Sequence, residues 1–268
     1  MKTKITMLGT GNGGTLDLYN TCFVIQSENE NFLVDTGGSI EIIKRLKQAN
    51  IDYKNIKHIF ISHSHTDHIL GLFWFFKKIN RLIMRKEISE KINIYCNDVV
   101  LEAIKEVSKY ILPKKLMDEI YNVIEFKVLQ DGDTYNIDGI KYIFFDIKAR
   151  GTKQFGFECN INNKRLVFLG DETLNIDLYE RVRNADYVMH EAFCLDSEEK
   201  IFHAYEKNHS TVKSASEVMN KLNVKNLILY HTEESHGIER KELYTKEGQE
   251  NFNGNVIVPN DLEVIEII

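Results

Sequence analysis

Prolines are scarce in this sequence: only Pro113 and Pro259 occur in 268 residues, and no Gly/Ser-rich or low-complexity run accompanies them. Nothing therefore marks a linker, and one domain over residues 1–268 is the expectation. A run of about 18 apolar residues is also missing, which excludes an obvious membrane-spanning helix. The opening MKTKITMLGTGNGG has two lysines but only a short apolar segment before its glycines. It reads as a first strand rather than a signal peptide, and cytoplasmic residence is the expectation. The four cysteines, Cys22, Cys96, Cys159 and Cys194, are far apart and form no C-x-x-C pair. That spacing argues against a structural zinc knuckle and against a disulfide framework. Basic charge is not in excess either. The net charge of −6 gives no broad electrostatic grip on nucleic acid. The densest basic stretch, Lys77–Lys91, reads as a solvated helix or loop face.

What is present is a regular alternation of apolar runs. KITMLG, TCFVIQ and NFLVDTG read as short strands in a meander, after which Ser39 caps an amphipathic helical segment, IEIIKRLKQAN. KHIFIS is a strand and ILGLFWFFKKI a helix; INIYC, VIEFKVL, KYIFFDI, FGFECNI, RLVFLG, YVMHEAF and NLILYH read as further strands. Helices are expected over VVLEAIKEVSKYI, STVKSASEVMNKL and Glu239–Gln249, and two short strands, NVIVP and LEVIEI, close the chain. Strands in a meander followed by strands alternating with helices suit an α/β protein of two packed sheets with helices outside. The aromatic run GLFWFF, Gly71–Phe76, has helical spacing that places it mainly in the core, although a stacking surface or a partner contact is open to part of it.

The most informative stretch is HSHTDH, which sets three imidazoles and a carboxylate into six residues directly after a buried strand. Residues two apart on a strand point the same way, so His63 and His65 can reach one metal ion together. A tight turn would swing Asp67 and His68 toward a second position. Imidazole and carboxylate together suit zinc, with manganese or iron as alternative occupants. Such a site supplies hydroxide near neutral pH, and two ions can clamp attacking and leaving oxygens.

HSHTDH resembles the H-x-H-x-D-H signature of the metallo-β-lactamase superfamily. LGTGNGG, NTCFVI and FLVDTG resemble the opening strands of that family, most nearly those of its ribonuclease Z branch. FLGDET carries Asp171 where the bridging aspartate stands, and LILYHTEES places His231 where the last histidine ligand follows a strand. HEAF, from His190 to Phe193, and HST, from His209 to Thr211, resemble the HEAT motif and the later histidine loop of ribonuclease Z. The resemblance implies a four-layer αββα sandwich, hydrolytic chemistry and one or two zinc ions. It implies His63 and His65 on the first ion, Asp67, His68 and His231 on the second, and Asp171 between them. Asp67 would also orient the attacking hydroxide. His209 would donate a proton to the leaving oxygen and Glu191 would steady it, since a glutamate beside an imidazole raises its pKa. His190 reads as structural, and a homodimer is compatible with the resemblance.

Two departures shape the functional expectation. The family supplies a third histidine to the first ion, yet FFDIKARGTKQFGF, Phe144–Phe157, contains none. By register Lys148 is expected in that place, with Arg150 close by. A protonated lysine cannot ligate, so the first site is expected to hold its ion weakly or to be replaced by Lys148 gripping a phosphate or carboxylate oxygen. Second, only 22 residues separate Lys148 from Asp171, and no glycine- and proline-rich arm for gripping tRNA stands out. Without such an arm an acidic chain has few means of collecting phosphate contacts. A small phosphodiester or short nucleotide is therefore expected as substrate ahead of tRNA. Lactone or thioester hydrolysis on the same fold is the alternative, as is a binding or sensing protein weakened at residue 148.

Overall fold

The computed structural model of the chain describes residues 3–88 and 90–268. Met1, Lys2 and Ser89 lie outside the described residues, the last of them within the basic stretch Lys77–Lys91. The first half runs β1 (Lys4–Gly9), β2 (Cys22–Gln26), β3 (Asn31–Val34), α1 (Glu41–Gln48), β4 (Ile56–Ile61), α2 (Thr66–Met84), β5 (Ile92–Cys96), α3 (Asp98–Ile111), α4 (Lys114–Tyr121) and β6 (Ile124–Val128). The second half runs β7 (Thr134–Ile137), β8 (Ile140–Asp146), β9 (Phe155–Ile161), β10 (Lys164–Phe168), α5 (Tyr179–Val182), β11 (Tyr187–Glu191), α6 (Glu199–Phe202), α7 (Val212–Lys221), β12 (Asn226–Tyr230), α8 (Arg240–Asn251), β13 (Asn255–Ile257) and β14 (Val264–Glu266).

These strands form two seven-stranded sheets, ordered β14-β1-β2-β3-β4-β5-β6 and β13-β12-β11-β10-β9-β8-β7. Each sheet is antiparallel at one end and parallel at the other: β3-β4-β5-β6 and β10-β11-β12-β13 are the parallel runs. Parallel neighbours need a return crossover, and helices supply most of these on the outer faces. Between the sheets lies a core dominated by rings, among them Phe23, Phe32, Phe60, Phe144, Phe157 and Phe168. Phe157 alone contacts five of these or neighbouring rings, with centroids 5.4–6.1 Å apart. Each such ring, removed from water, contributes about 1.5–3 kcal/mol.

The outer layers are aliphatic. Leu33, Ile59 and Ile94 face Ile42, Leu46, Ile69, Leu72, Phe76 and Ile79 of α1 and α2. Val167, Val188, Leu227 and Leu229 face Ala215, Met219 and Tyr244 of α7 and α8. The architecture is therefore the expected αββα sandwich. Of the GLFWFF run, Phe73, Phe75 and Phe76 are buried and Trp74 is 39% exposed. Four elements escaped the sequence reading: the four-residue helices α5 and α6, helix α4 and strand β7. Helix α4 is only eight residues long and follows Pro113 at once. Strand β7 is a polar edge strand joined to β8 through Asp138-Gly139, both at positive φ, a hairpin turn whose Asp-Gly signal was available. Ser39 does cap locally, accepting from the Glu41 N–H at 3.2 Å, although the residue flanking α1 is Ile40. Among the described residues no helix is long and apolar enough to cross a membrane.

The strands matter to function because of where they end. The carboxyl ends of β1, β4, β10, β11 and β12 all open at one edge of the sandwich, where loops and helix starts carry the polar residues. Helix α2 is drawn tightly onto this edge. The Gly71 N–H donates to the Gly37 carbonyl at 2.8 Å, and the Thr36 N–H and hydroxyl both donate to the His68 carbonyl. A Cβ on Gly71 would stand 2.0 Å from the Thr36 oxygen, so only glycine allows the approach. Gly71→Ala is expected to cost about 1–3 kcal/mol by overpacking, a fall in Tm of about 3–10 °C in thermal denaturation. An unchanged Tm would show that α2 does not depend on this contact.

Candidate metal centre

Strand β4 carries the chain inward to Ile61, and the next residues leave the sheet with Ser62 and His63 buried. His65 is extended and caps α2, so Asp67 and His68 fall in the helix's first turn rather than in a free loop. Asp171 follows β10 after Gly170, and His231 follows β12. His231 takes a left-handed backbone, φ 59°, a conformation costing about 1–2 kcal/mol for such a residue. The backbone beyond it is held by the Thr232 N–H donating to Thr10 and the Asn12 N–H donating to Thr232.

These separate segments meet. The Nε2 atoms of His63, His68 and His231 lie 3.3, 3.4 and 3.7 Å from Asp171 Oδ2. His68 Nε2 is also 3.2 Å from Asp67 Oδ2. Ligand-type atoms of His63, His68 and Asp171 lie within 4.8 Å of one another, as do those of Asp67, His68 and His231. His65 is in neither group; it is the more exposed imidazole, with its ring centroid 4.5 Å from that of His63, and it lines the same cavity. His63 Nε2, His68 Nε2 and Asp171 Oδ1 are buried without a hydrogen-bond partner. Their lone pairs converge on a common space instead of aligning with each other, which is the donor arrangement a divalent cation fits.

The rings are aimed from behind. Asp35 Oδ2 accepts from His68 Nδ1 at 2.8 Å, while Asp35 also accepts from the Ser62 N–H and hydroxyl. Ser62 Oγ lies 3.0 Å from His63 Nδ1, and Thr21 Oγ1 lies 3.3 Å from His231 Nδ1. Engaging Nδ1 leaves each Nε2 turned toward Asp171, the usual support of a metal-binding imidazole. Burial works against charge on Asp171, yet the imidazoles of His63 and His68 outweigh it and hold the carboxyl well below its ordinary range. Burial pushes the His231 imidazole down to about 3, leaving it neutral with a lone pair to offer. Asp35 and Ser62 are the supporting residues that the sequence reading did not single out, although FLVDTG contained the first of them.

A second arrangement stands on the rim. Glu191, the last residue of β11, is fully buried and its Oε1 accepts from the Ser210 N–H. Its Oε2 is 3.6 Å from His209 Nδ1, an ion-pair contact rather than a hydrogen bond. Burial alone would lower the pKa of His209; the Glu191 carboxylate overcomes this and raises it. The His209 ring stacks on Phe193 with centroids 4.6 Å apart and planes 5° from parallel, and lies 5.3 Å from His231. His190, by contrast, turns its Nδ1 to the Glu191 carbonyl inside the sheet. The resulting cavity, about 310 Å³, has His65, Asp67, Asp171, His209 and His231 in its walls.

Lys148 is not in that wall, which corrects the placement expected from register. Its backbone is left-handed, φ 59°, its side chain is exposed, and its ammonium lies 3.6 Å from Asp146 in a separate charged depression. The segment after it is tied down by Glu172, whose carboxylate accepts from the Arg150 and Gly151 N–H groups. The side chain that reaches the cavity from this segment is Gln154, fully buried, with Oε1 accepting from the Asp171 N–H.

Comparison with known proteins agrees with this geometry. The ribonuclease Z of Archaeoglobus fulgidus is 26% identical over an alignment of 318 positions covering all of this chain and 98% of that protein. The metallo-β-lactamase-fold protein YhfI from Bacillus subtilis superposes with a TM-score of 0.81 at 17% identity, covering the whole of both chains. The short form of human tRNase Z superposes at 0.73 with 21% identity over 99% of each chain. The chain has the metallo-β-lactamase fold and is a ribonuclease Z-like hydrolase. A family model described as "Anti-Pycsar protein Apyc1" matches residues 3–250, and the chain belongs to that family.

Proposed function

We propose that this protein is a metal-dependent phosphodiesterase acting on a small diester, a cyclic or short nucleotide, rather than on tRNA. The observation that carries the reading is the standing of a buried glutamate and a partly exposed histidine beside a convergent imidazole–carboxylate cluster. An alkoxide leaving from phosphorus needs a proton, and a histidine whose proton is held by a neighbouring carboxylate can supply it. The small cavity, about 310 Å³, suits a ligand of modest size. The acidic balance of the chain offers little for a long polyanion.

In this reading His63, His65 and Asp171 would hold one ion, and Asp67, His68 and His231 a second, with Asp171 shared. Zinc matches the donor set best, with manganese or iron as alternatives. Bound, it supplies hydroxide near neutral pH and stabilises charge on the phosphoryl oxygens. The chain's own residues do the rest. Asp67, beside His68, orients the attacking oxygen. His209 donates its proton to the leaving oxygen, Glu191 keeps that proton in place, and the stacked Phe193 ring fixes the plane of the imidazole. Cytoplasmic residence and a homodimer accompany the proposal without bearing on the chemistry.

The test uses leaving groups. With a cyclic mononucleotide, whose leaving alkoxide is strongly basic, His209→Ala is expected to lower kcat by about 10²–10⁴. With bis(p-nitrophenyl) phosphate the departing phenolate needs no acid, and the same variant should lose far less. Equal losses on both substrates, or turnover of precursor tRNA without small-diester activity, would defeat the proposal. The pH profile gives a second check. Glu191 raises the pKa of His209, so the acid form persists above the ordinary imidazole value. Glu191→Gln removes that support, and the alkaline limb of kcat should move to lower pH; a limb that stays in place would take Glu191 out of the mechanism.

A further inference from the structure

Gln154 Nε2 is buried and has no hydrogen-bond partner, in the wall of the cavity that holds the cluster. A buried donor left unpaired is costly, so the position asks for an explanation. The residue is rigidly placed. Its carbonyl accepts from the Ile147 N–H at 3.1 Å, and the next residue's N–H donates to Ser62, the neighbour of His63, at 3.0 Å. Its Oε1 faces the Asp171 N–H at 3.3 Å. Turning the amide over would set two donors against each other, so the backbone of Asp171 fixes which end is left unpaired. Gly170 leaves room for this contact: at φ 71°, a Cβ there would stand 2.9 Å from Gln154 Oε1. The unpaired end of this cavity-wall residue is therefore an NH₂, a donor only, which cannot ligate a cation and calls for an acceptor.

We infer that Gln154 is a substrate-binding residue whose Nε2 donates a hydrogen bond to a non-bridging oxygen of the phosphoryl group. This rests on the phosphodiesterase reading and assigns a role on the side of the cluster where the preceding loop brings no imidazole. Lys148 is turned toward Asp146, away from the cavity wall. A fixed neutral donor is suited to the place, because it meets an oxyanion without repelling the neighbouring ions and needs no reorganisation as charge develops.

The experiment measures binding of inorganic phosphate to zinc-supplemented protein by titration calorimetry, with zinc content and Tm recorded for each variant. Gln154→Met keeps the length and removes the donor. Gln154→Glu keeps the shape and the acceptor for the Asp171 N–H, so one folded variant suffices for the test. Phosphate affinity is expected to fall about tenfold or more in either variant, with zinc content unchanged and KM for the diester raised more than kcat is lowered. Wild-type phosphate affinity in a folded variant, or a loss of zinc that accounts for the weaker binding, would overturn the assignment. If the wild type hydrolyses small diesters and both variants bind phosphate as it does, the Gln154 role alone fails. A wild type that binds no phosphate and cleaves no diester removes the functional reading as well.

Discussion

One buried carboxylate organises this molecule's working edge. Asp171 is 3% exposed, and its Oδ2 lies within 3.7 Å of three imidazole nitrogens, two from the His63–His68 stretch and one from His231 beyond β12. Burying a charge without compensation is costly enough that the group would neutralise instead. Here the imidazoles hold the carboxyl charged. The price of that arrangement is that His63, His68 and His231 must each be presented at one angle, and much of the neighbouring structure serves to do so. Asp35 orients His68, Ser62 meets His63, and Thr21 meets His231.

Both sheets contribute, which explains why the sandwich cannot be altered casually at this edge. His63 comes from the first sheet's β4 and Asp171 and His231 from the second sheet's β10 and β12. The ring-rich core between the sheets fixes their separation, and Phe60 and Phe168, only a few residues from the cluster, pack edge to face with centroids 6.5 Å apart. The acid pair is tied to the same frame, because Glu191 ends β11, between β10 and β12. Chemistry and fold thus share their fixed points.

Much of this was legible in the sequence, for physical reasons. HSHTDH is dense and local, so the placement of its ligand-type residues beyond a buried strand could be read directly. Asp171 and His231 each follow a strong apolar run, which made their positions at strand ends visible. What escaped were features set by tertiary contact. The side chain of Lys148 could not be oriented from register, since its left-handed backbone and the grip of Glu172 on Arg150 and Gly151 decide it. Gln154 carries no sequence signal; only its burial and its unpaired amide single it out. Helix α4 follows Pro113 at once and the edge strand β7 has no apolar run, so neither stood out, although the Asp138-Gly139 turn beside β7 was a usable signal.

The central claim is that Asp171 and the imidazoles around it form the seat of a divalent cation. Anomalous scattering at the zinc edge, from crystals grown with zinc, tests it most directly. A peak about 2.0–2.2 Å from an Asp171 oxygen and from His63 or His68 Nε2 is the predicted result. Zinc bound only at surface carboxylates, with no density at Asp171, would contradict it.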